Sequence, residues 1–413
     1  MIDSGNTAFM IICSALVLFM TFGLAFFYGG LVRRKNVINT MMMSVSVIGI
    51  AVVMWVAFGY SLSFGQDNFG IIGTLDHIGF MGVEFSVSDY APTIPHAVFA
   101  AFQMMFAIIT PAIITGAVVG RMRFKAVIAF IVLWSLLVYY PMAHMVWGEG
   151  GLILNMGAVD FAGGDVVHIS SGVSALVLSI MLKKRHAYGA ANYRIHNVPF
   201  VVLGAGMLFF GWFGFNAGSA YAANQLAAQA MMTTAASAGA AMLSWMVLDH
   251  IFTGKTTLIG AATGLVVGLV AITPGAGFVP VWASLIIGAL GSPVCFFMIS
   301  IVKHKFGYDD ALDAFGCHGV GGIYGGLVTG IFAQKAINGV ARWDGLLYGD
   351  YHLFLVQVLA ILLTIAIAVV GTVICAKLVS IFIPLRVSVY EEKIGMDKSE
   401  HNETAYPSFN GLD

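Results

Sequence analysis

The chain has 413 residues, 59% of them hydrophobic and 9% charged, with a net charge of -1. Soluble proteins carry roughly a quarter charged residues, so the composition excludes a water-soluble globular domain and gives no sign of a nucleic-acid partner. Unbroken apolar runs of about 20 residues, each long enough to cross a bilayer as a helix, also exclude the short alternating segments of a membrane barrel.

In chain order these runs predict an all-α polytopic membrane protein of eleven transmembrane helices. They cover roughly 6–31, 38–64, 94–119, 126–146, 163–182, 198–218, 226–252, 257–273, 280–302, 315–333 and 352–384. The first run has no basic segment ahead of it and reads as a span, not a cleaved leader. The last is longer than a bilayer needs, which predicts a tilt or a kink. Residues 1–384 then form the membrane domain and 385–413 a polar tail. Of the 19 lysines and arginines, all but Lys335 and Arg342 fall on one side of this scheme. By the positive-inside rule the N-terminus is outside and the C-terminus cytoplasmic, as expected for a plasma-membrane protein.

Polar groups inside apolar spans are the next signal, because hydrocarbon penalises them unless they face protein or water. His168 lies in DFAGGDVVHISSG and His318 in DAFGCHGVGGIYGG, one in each half of the chain. A lone buried histidine is usually structural. Two at corresponding places suggest a five-helix unit repeated in inverted orientation, with the eleventh helix added, and a site where the halves meet. Asp160 is expected to cap the fifth helix, with cation attraction as a second role. Asp165 is expected to find a backbone N–H or a hydroxyl, or to hold the imidazole three residues on. Cys13, Cys295, Cys317 and Cys375 are scattered without metal-ligand spacing and read as buried free thiols. No cofactor or metal is expected, nor an enzyme: Ser219 lacks the G-x-S-G context of a hydrolase.

The segments YGGLVRRKN (28–36), AHMVWGEGG (143–151), DFAGGDVVH (160–168), GWFGFNAGSA (211–220) and DDALDAFGCHGVGG (309–322) closely resemble the ammonium transporter family, related to Rh proteins. The resemblance runs from the first helix to GMDKSEHNETAY at 395–406. It implies a homotrimer with one ammonium/ammonia pore per subunit. Trp147, Ser219 and Phe106 match the external recruitment site, with Asp160 as the family's essential aspartate. Phe106 and Phe215 match the stacked gate; Trp212, His168 and His318 match the pore. The resemblance also implies that a PII-type signalling protein closes the pore from the cytoplasmic face, where the tail is expected to dock near Arg185, Arg194, Asp309, Asp310 and Asp313. Two positions depart from the family pattern, Asp165 and Glu149, each placing an acid close to the conduit. An ammonium sensor retaining the transporter fold and an Rh-like gas channel are the alternatives. The intact Trp147 and Ser219 favour the ammonium branch.

Overall fold

The computed structural model describes residues 1–84, 86–186, 188–189 and 195–406. Among these residues, nine helices are long and apolar enough to cross a membrane. They are α1 (Ser4–Leu31), α2 (Arg34–Phe64), α3 (His96–Val118), α4 (Phe124–Met156), α5 (Gly164–Leu182), α6 (Val198–Gly218), α7 (Gln225–Thr253), α9 (Val281–Phe306) and α11 (His352–Phe382). The shorter apolar α8 (Leu258–Ile272) and the glycine-rich α10 (315–332) complete the set of eleven. Residues 148–151 break α4, and Leu152–Met156 forms a separate short helix. Of the tilt or kink expected for the last span, the helix itself shows no break: α11 is one uninterrupted α-helix of 31 residues.

The inverted repeat is visible in detail at an offset of 150 residues. Both α5 and α10 open with a π-helical turn, Gly164–Ile169 and Phe315–Gly319, and each turn carries its histidine. Widened π turns recur at functional sites because they displace a side chain from α-helical register. Ahead of each turn an aspartate caps the helix. The Asp160 carboxylate accepts N–H bonds from Gly163, Gly164, Asp165 and Val166. The Asp310 carboxylate accepts them from Ala314 and Phe315. Gly163 and Asp313, also 150 apart, both adopt positive φ, 116° and 60°. The two broken helices touch through glycine. A Cβ on Gly172 would lie 2.1 Å from the Gly319 nitrogen, so any side chain there would push the π turns apart.

One end of the bundle gathers the basic connections and the tail. Arg121, fully buried, donates to the Asp309 carbonyl at 2.5 Å, while Arg185 clasps the Asp309 carboxylate through Nε and Nη2. Burial opposes ionisation of Asp309, but these two guanidiniums outweigh it and hold its pKa below the usual carboxylate value. Asp313 pairs with Lys303 at 2.6 Å. The tail forms α12 (Val389–Ile394) and α13 (Met396–His401), α12 opening with a Ser388/Glu391 capping box.

The docking expected at Arg185 falls beside it, at His186, and the tail has further partners. Asp309, Asp310 and Asp313 are committed to Arg121 and Arg185, the α10 cap and Lys303, and Arg194 lies outside the described residues. The tail instead sits on Arg123, which pairs with Glu391 and Glu400, and on the start of α2, where Met396 and Asp397 bond Asn36 and Asn39. Beside Arg185, the His186 N–H bonds Glu392.

Arg123→Ala is expected to loosen the tail while costing less than about 1 kcal/mol of fold stability, because the pairs are partly exposed. Faster proteolysis within 385–406 at unchanged melting temperature would be the readout. Ser388, and then Arg123, hold Glu391 below its ordinary value of 4.5. This part of the docking is therefore intact at neutral pH and lost only as pH falls through that lowered pKa.

Candidate transport pathway

At the end opposite the tail, a cavity of about 410 Å³ is lined by Trp147, Asp160, Phe161, Ser219, Tyr221 and Arg342, among others. Trp147 is half-buried at the end of a helical stretch and donates its indole N–H to the Asp160 carbonyl at 2.9 Å. The ring thus faces the cavity with its orientation fixed, and is not a free interfacial anchor. Ser219 donates to the Phe215 carbonyl at 2.9 Å, which leaves its oxygen lone pairs to accept from a donor in the cavity. Glu149 is exposed and outside the cavity lining; its backbone N–H is held by the Tyr90 hydroxyl.

Below this vestibule the aromatic rings close the path. Phe106 meets Trp147 edge-on at 5.7 Å between centroids and Phe215 at 4.4 Å with a tilt of 33°. Both phenylalanines are buried. Beyond them a second, much smaller space of about 10 Å³ is lined by Phe215, Trp212, His168 and His318 among aliphatic side chains. That volume is about one water-sized molecule. An ammonia molecule is of similar size.

The histidines form a stacked pair, ring centroids 5.3 Å apart, with Nδ1 facing Nδ1 at 3.2 Å. One nitrogen must donate and the other accept, so the contact holds a single hydrogen between the rings. His168 also stacks on Trp212 at 5.4 Å, and Trp212 is fixed by its bond to the Thr273 hydroxyl at 2.9 Å. His168 Nε2 is buried without a protein partner among the described residues. The geometry therefore joins all the residues expected in the recruitment, gate and pore groups into one column. Asp309, Asp310, Asp313 and Arg185 lie at the far end, in the tail-facing cluster.

Of the partners expected for Asp165, the structure shows the hydroxyl. Its carboxylate takes no backbone N–H, since Asp160 has claimed those, and it does not hold His168. It points to α11, where the Thr364 hydroxyl donates to it at 3.0 Å. Asp165→Asn, which keeps shape and can still bond Thr364, is expected to leave transport within about twofold and the fold intact. Initial rates and melting temperatures of the reconstituted variant measure both; a tenfold loss of rate would give Asp165 a role at the conduit.

Sequence reading missed the support behind the vestibule wall. His144, fully buried, bonds the Ser63 carbonyl through Nδ1 and Asp67 through Nε2 at 2.9 Å. Asp67 also accepts the Gly70 N–H, and the Gly70 carbonyl accepts that of Leu152. These links tie the turn after Trp147 to the loop after α2. The hint in the sequence was AHMVW, where His144 precedes Trp147 by three positions, on nearly the same helix face.

Fold and site together define a polytopic helical membrane protein in which aromatic rings separate an open cavity from a small apolar space lined by His168 and His318. The pattern of the Ammonium Transporter Family matches residues 8–406, and the chain belongs to that family. The chain is 50% identical over 402 residues to an ammonium transporter of Bacillus subtilis, covering 97% of this chain and 98% of the relative. It is 42% identical to ammonium transporter Amt1 of Archaeoglobus fulgidus, covering 98% and 100%. Among solved structures, Mep2 of Saccharomyces cerevisiae superposes with a TM-score of 0.87 at 35% identity, covering 94% of this chain and 88% of that one. A protein described as a sensor Amt protein superposes at 0.86 with 27% identity, covering 96% and 98%.

Proposed function

We propose that this protein conducts ammonium or ammonia across the plasma membrane, taking ammonium at the Trp147 vestibule and passing its nitrogen through the His168–His318 conduit. The observation that carries this reading is the histidine pair, lining a space of about one small molecule behind two closely packed phenylalanines. Ammonium resembles potassium in size and charge, so selection needs directional hydrogen bonding or a proton step. Trp147 and Phe106 offer π faces, worth about 2 kcal/mol to a desolvated cation, and Ser219 offers an N–H acceptor. The apolar conduit then penalises any ion that keeps its charge. Ammonium can release a proton and continue as ammonia; potassium cannot. The paired imidazoles are suited to relay that proton, since one hydrogen already lies between them and His168 Nε2 is open.

In this reading the N-terminus is outside and the tail cytoplasmic, which puts Trp147 at the outer mouth. The subunits form a homotrimer, and the tail surface with Arg185, Asp309, Asp310 and Asp313 is where a PII-type partner would act. Removing 385–413 is expected to spare the fold, lower basal transport and abolish inhibition by that partner. Trp147→Leu and Ser219→Ala are each expected to raise the half-saturating ammonium concentration by about three- to tenfold at unchanged melting temperature. Concentration dependence of uptake in proteoliposomes is the test, and unchanged half-saturation in both variants refutes recruitment there. The likeness to a sensor Amt protein favours a second reading, in which the fold detects ammonium without carrying it; wild-type transport in liposomes distinguishes the two.

A further inference from the structure

Two basic residues, Lys335 and Arg342, depart from the one-sided placement of the others and follow α10 at the end away from the tail. Lys335 is not in the lining of the vestibule; Arg342 is. Among the described residues, Arg342 and Asp160 are the two charged members of that lining. They are not equivalent. The Asp160 carboxylate is turned to four backbone N–H groups at the start of α5. Arg342 is exposed and forms no ion pair among the described residues; the pairs at this end are His144 with Asp67 and His352 with Asp350. A cavity suited to a cation therefore carries an unpaired positive charge in its wall.

The guanidinium is also held in place. Its Nη1 donates to the Asn155 carbonyl at 2.9 Å. The arginine stem lies close against the Gly157 turn, where φ is 87° and a Cβ would come within 3.0 Å of the Arg342 Cδ. An arginine keeps its charge at any pH the protein meets. A fixed charge beside a cavity with low-dielectric walls decides which ions gather there.

We propose that Arg342 is a specificity-determining residue of the outer vestibule, repelling cations in proportion to their charge and so keeping divalent ions off the Trp147 site. The proposal rests on ammonium entering at that site. Energy in an electrostatic potential is proportional to charge. A potential that lowers ammonium occupancy by about two- to fourfold therefore lowers that of a divalent ion by the square, about four- to sixteenfold. The bias is useful because the π faces of Trp147 and Phe106 attract any cation. A divalent metal ion has no proton to release, so at the aromatic gate it would act as a plug.

The test measures ammonium uptake in proteoliposomes holding full-length wild type, Arg342→Lys, Arg342→Gln or Arg342→Glu. Each is assayed with and without calcium, at about 10 mM and about 1 M sodium chloride on both faces, where charges act over about 30 Å and about 3 Å. At low salt the half-saturating ammonium concentration is expected to fall about two- to fourfold in Arg342→Gln, to fall further in Arg342→Glu, and to stay at the wild-type value in Arg342→Lys. These differences should vanish at high salt. At low salt, calcium should inhibit the Gln and Glu variants and spare wild type and Arg342→Lys. Variants that match wild type at low salt would overturn the proposal. So would a shift that persists at high salt or appears equally in Arg342→Lys, since lost packing at Asn155 would then be the cause. Calcium that fails to inhibit Arg342→Glu would overturn the exclusion of divalent ions. Wild type that takes up no ammonium would overturn the transport reading and this proposal with it, whereas the other adverse results leave that reading standing.

Discussion

Replacing both His168 and His318 by alanine is expected to cut ammonium-specific transport at least tenfold, or to let potassium through, with the fold retained. Two separate arguments converge on this result. The pair supplies the polar nitrogens between Phe215 and the aliphatic lower walls of the narrow space, so its loss removes the proton-accepting groups there. It also enlarges a space of about 10 Å³, because two stacked rings become two methyl groups. The first change should slow ammonia passage with its proton; the second should admit water and weaken the barrier to hydrated ions. Ammonium and potassium currents from the same proteoliposomes distinguish them. If current and selectivity both match wild type, the relay role of the imidazoles is wrong.

Asp160→Ala is the second large effect, expected first on structure and then on transport. Four backbone N–H groups, from Gly163 to Val166, converge on this carboxylate at 2.6–3.3 Å. Leaving a buried donor unsatisfied costs about 1–3 kcal/mol, so the total loss is several kcal/mol unless water reaches part of the set. Asp160→Asn is expected to be nearly as damaging, because its amide NH2 would face donors where one carboxylate oxygen now accepts two of them. The π turn that places His168 begins inside this capped segment, so its release should also disorder the pore. Thermal unfolding of both variants decides the role. Wild-type stability with lost transport would make Asp160 a cation-attracting group and not a cap.

Much of this architecture was legible because membrane insertion leaves coarse, redundant marks. The apolar runs gave the nine helices long and apolar enough to cross a membrane, among the described residues, and the shorter ones at 258–272 and 315–332, to within a few residues at most ends. His168, His318 and Asp160 stood out because hydrocarbon tolerates such groups only for a reason. The misses have physical causes too. A π turn changes hydrogen bonding by one residue and leaves no hydrophobic signature, so the displacement of both histidines was invisible. A hydroxyl partner for Asp165 was expected in kind, but that it is Thr364 of α11, 199 residues away, no local pattern encodes. The tail's grip on Arg123 depends on which loops meet in space, and no local pattern encodes that. The links from His144 to Asp67 join residues 77 apart and were hidden for the same reason.

The central claim is that an apolar, histidine-lined conduit carries ammonium and rejects potassium. The most direct measurement is current from the purified wild-type protein in proteoliposomes, challenged in turn with equal pulses of ammonium and potassium chloride. The account predicts a saturable ammonium response that falls sharply with Trp147→Leu at low concentration, and a potassium response no larger than that of empty liposomes. Equal responses to the two cations, or none to ammonium from correctly folded protein, would contradict it.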